Sequence, residues 1–441
     1  MLLVGNGILI TRDAANPGYR NGCVAMDGSV VAEVGETCAI RAKYPGARFL
    51  DARGGIIMPG FINAHTHCYS AFARGFAGKG PAGGNFSEVL ERLWWRLDKA
   101  LTLDDVYICA VVCMIDCVRN GTTTILDHHA SPRAVRGSLF KIADAARATG
   151  IRSCLCYEVS DRDGEETMRE GIDENVEFIR RVSSDEDDLL AGTFGLHASM
   201  TLSDATLEAC AKAAPEGCGF HAHVAEGIRD EYDSVKKYGK RVVERFRDFG
   251  MLGGRSIAVH CVHIDENERK ILKDTGAAVV FNPESNMGNA VGCGPALEMY
   301  GAGIPVGLGT DGFISDMPRS LHMANALLKH NARRPDAAFA EVTGMLFENN
   351  ARIAERYFRL PLGRLAPGYS ADAVVCDYLS PTELSGANAD AHILFGMSGR
   401  CVTSTIARGR VLMEDRRLAG PDEAEAFAKA AEASKKLWER F

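Results

Sequence analysis

Two short segments of this 441-residue chain place histidines at alternate positions, His65-Thr66-His67 and His221-Ala222-His223. Residues i and i+2 of a strand point to the same side, so each pair can turn both imidazoles into one space. Two imidazoles on one rigid strand form a preorganised half-site for a borderline divalent metal such as zinc. Alone, such a pair also describes two hydrogen-bonded histidines near a turn. Glu226 follows three residues after His223, where a carboxylate can reach the same space as a general acid or base. A ligand role is therefore expected of His223, and a supporting or core position of His221. A third segment, Gly307-Leu308-Gly309-Thr310-Asp311-Gly312, has the letters of a dinucleotide fingerprint. That fingerprint opens a βαβ unit with an acid about 20 residues on, whereas this run closes a series of apolar segments. Its small residues read better as space for a substrate around Asp311, whose carboxylate could bind a metal and receive a proton from water.

The elements that must position these groups follow from the apolar pattern. Short apolar runs, each followed by a helical stretch, recur at Ile56–His67, Thr122–His129, Ile151–Val159, Leu189–Ala198, Gly219–Glu226, Ser256–Ile264, Ala277–Asn282 and Ile304–Gly312. Strand and helix in repetition imply a parallel sheet, and eight units imply an α/β fold of the closed (β/α)8, TIM-like kind. Residues 59–364 form this expected barrel. Residues 1–58 alternate apolar and polar around glycine turns, and the pattern returns at Ala371–Asp377 and Thr403–Glu414. The expectation is a small β-sandwich domain built from both chain ends, 1–58 and 365–441, finishing in a helix over Asp422–Arg440.

Barrel sites lie at the C-terminal ends of the strands. Of the twelve histidines, eight fall at expected strand ends: His65, His67, His128, His129, His197, His221, His223 and His260. Neighbours in a strand point oppositely, so one of His128 and His129 faces the pocket, and His129 is read as the substrate contact. Asn282 and Asn286 suit either turns or ligand contacts. Trp94-Trp95 could line a lid after the glycine-rich stretch Gly75–Asn85, although helix packing is the simpler reading. His263, His322, His330 and His392 read as surface or helix residues.

Composition narrows the class. The net charge of −8 with dispersed Lys and Arg gives no basic stripe, which argues against nucleic acid as a partner. No apolar run reaches the ~18 residues of a membrane span. The fourteen cysteines are scattered singly and read as reduced core thiols of a cytoplasmic protein. Small soluble substrates fit this picture, and self-assembly into a homo-oligomer is compatible with it.

Taken in order, Pro59-Gly60-Phe61-Ile62-Asn63-Ala64-His65-Thr66-His67, His223-Val224-Ala225-Glu226, His260-Cys261-Val262-His263 and Gly309-Thr310-Asp311-Gly312 resemble the amidohydrolase superfamily. The chain looks like the branch of chlorohydrolases and deaminases acting on guanine, S-adenosylhomocysteine and triazines. Asp127-His128-His129-Ala130-Ser131-Pro132 is most similar to the SsnA-type aminohydrolases, which look associated with purine metabolism. The resemblance implies His65, His67, His223 and Asp311 as metal ligands, Glu226 as proton shuttle, and His260 as partner of the activated water. It makes His197 a substrate contact. The fourth strand end carries no lysine, so the resemblance implies one divalent ion, zinc first and iron second. The implied reaction is hydrolysis at a C–N bond of a small nitrogen heterocycle, by deamination or by opening of an oxidised purine-like ring. A non-catalytic metal-binding or regulatory barrel is the rival of another class, and the pairing of Glu226 with Asp311 argues against it. The H-x-E and P-C-x-x-C pattern of unrelated nucleobase deaminases and the HExxH of zincin proteases are both absent from the sequence.

Overall fold

The computed structural model describes residues 1–76 and 80–441. Leu2–Asp13 and Asn16–Asp27 are long strands paired antiparallel, with Val30–Glu36 on the outer side of the second. On its other side Leu2–Asp13 meets Ile56–Pro59, which pairs with Ala373–Cys376. Val402–Ala407, Arg410–Glu414 and Arg417–Leu418 complete that direction, and Arg48–Asp51 pairs with the first strand. Both chain ends thus share one nine-stranded sheet.

The run Ile56–His67 proves to be two strands. Ile56–Pro59 belongs to the terminal sheet, and Phe61–Thr66 opens the central parallel array. Pro59 lacks an N–H for the ladder, and a side chain at Gly60 would collide with Thr123. The chain changes sheets at this dipeptide.

In the centre, Phe61–Thr66, Thr122–His129, Arg152–Tyr157 and Leu190–Gly192 pair in parallel. Phe194–Ala198, Phe220–Val224, Ile257–His260, Ala278–Phe281 and Val306–Leu308 form a second parallel set. The run Leu189–Ala198 is broken at Thr193, whose hydroxyl donates to the Gly219 carbonyl at 2.6 Å. Isolated parallel bridges, Val159 to Leu196 and Thr66 to Asp311, link the two sets at both edges. Every residue of Thr122–His129 and Arg152–Tyr157 is buried, as expected of parallel strands covered on both faces. The protein is accordingly α/β.

Buried polar residues hold this arrangement in register. Asn350 accepts from Leu308 N at 2.8 Å and donates to the carbonyls of Ile62 (2.7 Å) and Leu308 (2.9 Å), tying the first strand to the last. The fully buried Arg152 pairs with Asp372 and donates to Ser370 at 2.6 Å, which fastens the central array to the terminal sheet. Helix Leu103–Arg119 starts in a capping box between Thr102 and Asp105 and buries Cys109, Cys113 and Cys117. Helix Glu423–Arg440 is capped by Asp422, and its Trp438 donates to the Phe72 carbonyl at 2.9 Å. Among the described residues, no helix is long and apolar enough to cross a membrane.

Candidate active site

The first and last central strands are stitched together where the chemistry lies. Thr310 N and Asp311 N both donate to the His65 carbonyl, at 3.0 and 3.1 Å, and Thr66 Oγ1 donates to the Asp311 carbonyl at 3.1 Å. Asp311 and His260 leave their strands with left-handed backbone, φ 59° and 70°, a conformation that costs a non-glycine residue of order 1–3 kcal/mol. The turn aims both side chains at the histidine pair. The glycine run before Asp311 makes room for protein and not, as the sequence implied, only for substrate. A Cβ at Gly309 would collide with Asn282 and the His65 carbonyl, while Gly312 does line the open cavity.

Four imidazoles converge on Asp311. His67 Nε2 lies 3.0 Å and His65 Nε2 3.4 Å from Oδ1, and His260 Nε2 lies 3.6 Å from Oδ2. His223 Nε2 is 3.2 Å from His67 Nε2. Each ring is fixed through its other nitrogen: His65 to His221 Nε2 (2.9 Å), His67 to the His128 carbonyl (2.5 Å), His223 to the His197 carbonyl (3.1 Å) and His260 to Asn286 Oδ1 (2.8 Å). Held this way, all four point Nε2 into one buried space, and the Nε2 atoms of His65 and His260 face carboxylates there without making a hydrogen bond. Orphaned, oriented imidazole nitrogens beside a carboxylate suit a divalent ion. Ligand atoms of His65, His223, His260 and Asp311 lie within 4.8 Å of one another, and His67 adjoins this group. His221 takes the supporting place expected of it.

The electrostatics agree with a cation site. Burial alone would raise Asp311, but the imidazoles of His65 and His67 beside it hold its carboxyl well below the usual range. Burial likewise disfavours a charged His67, yet Asp311 overrides it and lifts the imidazole to about 9, while burial takes His65 down to about 3. A bound cation would displace the proton carried by the His67–Asp311 pair. Glu226 sits at the edge, with Oε2 3.5 Å from His260 Nε2 and Oε1 accepting from Asn289 at 3.2 Å. Burial pushes its carboxyl up to about 7, against the pull of His260 and with the push of Asp311.

A cavity of about 400 Å³ opens over these groups, within the range of small-molecule sites. His67, His197, His223, Glu226 and Asp311 lie on its wall. His129 does not. It is buried, its Nε2 is 2.9 Å from Ser131 Oγ, and its ring packs on Tyr69 and Tyr157. That corrects the expected substrate contact. The inward member of the pair is His128, whose ring lies 4.7 Å from that of His223 and whose Nδ1 is 3.3 Å from Glu158. Neither histidine is on the cavity wall: His128 turns toward the histidine cluster and not into the substrate space.

Trp94 and Trp95 line the cavity, contrary to the packing preferred from sequence. Leu90–Trp94 forms a π-helical turn, a widened geometry often found at functional sites. Of the glycine-rich stretch Gly75–Asn85, residues 77–79 lie outside the described residues. Sequence reasoning also missed an ionic group on the wall. Arg162 donates to Asp98 (2.9 Å) and Glu158 (3.3 Å) and lies 5.0 Å from the Trp95 ring centre, and His197 Nε2 is 3.7 Å from Glu158. Burial pushes Asp98 up to about 6 despite Arg162. Burial would raise Glu158 too, but His197, His128 and Arg162 outweigh it and keep it low. Ser285 and Asn289 were missed as well, since they sit on a turn with no periodic signature. Ser285 donates to Asp311 Oδ2 at 2.5 Å.

Comparison with known proteins places this geometry. The chain is 30% identical to a 5-methylthioadenosine/S-adenosylhomocysteine deaminase of Pelotomaculum thermopropionicum, covering 100% of this chain and 99% of that one. It is 28% identical to a 5'-deoxyadenosine deaminase of Methanosarcina mazei, covering 99% and 98%. Among solved structures, an adenosine deaminase from Xanthomonas campestris with bound zinc superposes with a TM-score of 0.87 at 24% identity, covering 99% and 98%. The model of the amidohydrolase family matches residues 56–412, so the chain belongs to the amidohydrolase family.

Proposed function

We propose that the protein is a metal-dependent aminohydrolase that releases ammonia from the aminopurine ring of an adenosine-type nucleoside. The observation that carries this reading is the placing of His260 between two carboxylates, its Nε2 3.5 Å from Glu226 Oε2 and 3.6 Å from Asp311 Oδ2, where Glu226 and Asp311 line the cavity. The names of the relatives, deaminases of adenosine-type compounds over the full chain, favour deamination over ring opening.

His65, His67, His223 and Asp311 would hold one divalent ion, zinc first, and His260 is the residue near both that group and Glu226. A bound ion of this kind acts as a Lewis acid and brings the pKa of a coordinated water from 15.7 to about 7. The chain's own groups supply the rest. Asp311 takes a proton from the attacking water at its carboxylate and returns it to the departing amine. Glu226 delivers one from Oε2 to the ring nitrogen and recovers one from the added hydroxyl as the 6-oxo group forms. His260 orients the attacking oxygen, and His197 meets the substrate. Trp94 and Trp95 offer flat apolar walls for a purine and exclude water.

The closed (β/α)8 barrel over 59–364 is part of this reading, supported by the bridges at both edges of the central sheets. So is a small β-sandwich of 1–58 and 365–441, supported by the strand pairing of the two chain ends. Metal-loaded protein should release one ammonia per molecule of adenosine, 5'-deoxyadenosine, 5'-methylthioadenosine or S-adenosylhomocysteine, with the 6-oxopurine as product. Ammonia from none of them, at full metal content, overturns the substrate class.

A further inference from the structure

The chain after the strand Ala278–Phe281 forms one short helical turn, Pro283–Gly288, ending at Asn289. Three of its side chains reach the site. Asn286 holds the ring of His260 from behind at 2.8 Å. Ser285 Oγ donates to Asp311 Oδ2 at 2.5 Å, and Asn289 Nδ2 lies 3.2 Å from both Ser285 Oγ and Glu226 Oε1.

We propose that Ser285 and Asn289 are positioning residues for the deamination proposed above, forming a hydrogen-bond bridge that ties Asp311 to Glu226. The inference rests on that reading of the site. The polarity of the bridge is fixed by the chemistry of its members. An amide NH2 has two hydrogens and no lone pair to accept with, so Asn289 gives one to Glu226 and one to Ser285. The hydroxyl of Ser285, accepting from Asn289, gives its own hydrogen to Asp311. Both ends of the bridge are therefore acceptors. Glu226 Oε1 is committed as an acceptor, and the proton that Glu226 transfers sits on Oε2, the oxygen facing His260. Asp311 is held with Oδ1 toward His65 and His67 and Oδ2 toward the bridge.

The turn is placed for this task. Ser285 and Asn289 are four residues apart on one helical face, joined by the backbone bond Asn289 N to Ser285 O at 2.8 Å. Glu284 is anchored from outside by Arg319. Neither Ser285 nor Asn289 is buried in the core, and both line the cavity, so packing alone does not account for them.

The test uses full-length metal-loaded S285A, N289A, the double variant and S285T on the nucleoside that the wild type turns over fastest. Each single alanine variant should lower kcat roughly 10–100-fold with KM changed less than about threefold. The double variant should fall no more than about threefold below the worse single, because a bridge is lost only once. S285T, which keeps the hydroxyl, should recover most of the rate. With cobalt in the site, S285A should shift the visible absorption band, since Asp311 loses its restraint, while metal content stays at one ion per chain. Near-wild-type kcat in both singles, losses that multiply in the double variant, or an unshifted cobalt band in S285A would overturn the bridge. A wild type inactive on every nucleoside would instead count against the proposed function, and the cobalt band would then decide the bridge by itself.

Discussion

Replacing Glu226 with glutamine separates proton transfer from everything else the site does. The two side chains have the same shape, and Glu226 is 9% exposed with no place among the His65, His223, His260 and Asp311 ligand atoms. Asn289 donates to Oε1 at 3.2 Å, so a glutamine there must turn its carbonyl to Asn289 and its NH2 toward His260. That group donates hydrogen bonds but neither yields nor takes up a proton at neutral pH. A positioned acid–base group contributes typically 10²- to 10⁴-fold, or about 3–5 kcal/mol of barrier. The variant should therefore lose that factor in kcat while keeping one metal ion per chain and an unchanged melting midpoint. Ammonia release measures the first, metal analysis of the dialysed protein the second and thermal denaturation the third. Turnover within threefold of wild type would remove Glu226 from the mechanism. Loss of metal along with activity would make it a ligand.

Three further outcomes are expected. His221 orients His65 through a 2.9 Å contact between ring nitrogens, so H221A should weaken metal affinity roughly 10- to 100-fold, read by competition with a chromogenic chelator; unchanged affinity would mean that His65 needs no such support. Burial holds His129 down at about 3, below the ~6.5 of an unfolded histidine, so the unfolded chain takes up the proton first and stability present above pH 6.5 is lost as pH falls toward 3. By pH 5 that amounts to about 2 kcal/mol, and urea melts of H129Q should lose less between pH 7 and 5 than wild type by about that amount. R152M leaves Asp372 as a buried charge without its partner and should cost about 3–5 kcal/mol in the same melts; a cost below about 1 kcal/mol would show that the two sheets do not depend on this pair.

The parts of the site carried on strands could be read from the sequence. His65, His67, His223, His260 and Asp311 end apolar runs, and a parallel array brings such ends to one rim, so their convergence followed from order alone. What strand periodicity cannot give is which of two adjacent residues turns inward: His128 faces the histidine cluster, His129 packs against Tyr69 and Tyr157, and neither reaches the cavity. Residues on turns and short helices carry no periodic mark. Ser285, Asn289, Asp98 and Arg162 became visible only when the fold set them beside the strand ends. Trp94 and Trp95 are apolar residues on a helix, a pattern that describes a core face and a cavity wall equally well. The break at Pro59-Gly60 was present in the letters, but an apolar run on both sides of it concealed the change of sheet.

The central claim is that a single metal ion in the His65, His67, His223 and Asp311 group sustains hydrolysis of an aminopurine C–N bond. Protein stripped with a chelator and titrated with zinc tests it most directly, with ammonia release from the best nucleoside followed at each addition. The account predicts no activity without metal and a linear rise that breaks at one equivalent per chain. Full activity in the metal-free protein, or a break at two equivalents, would contradict it.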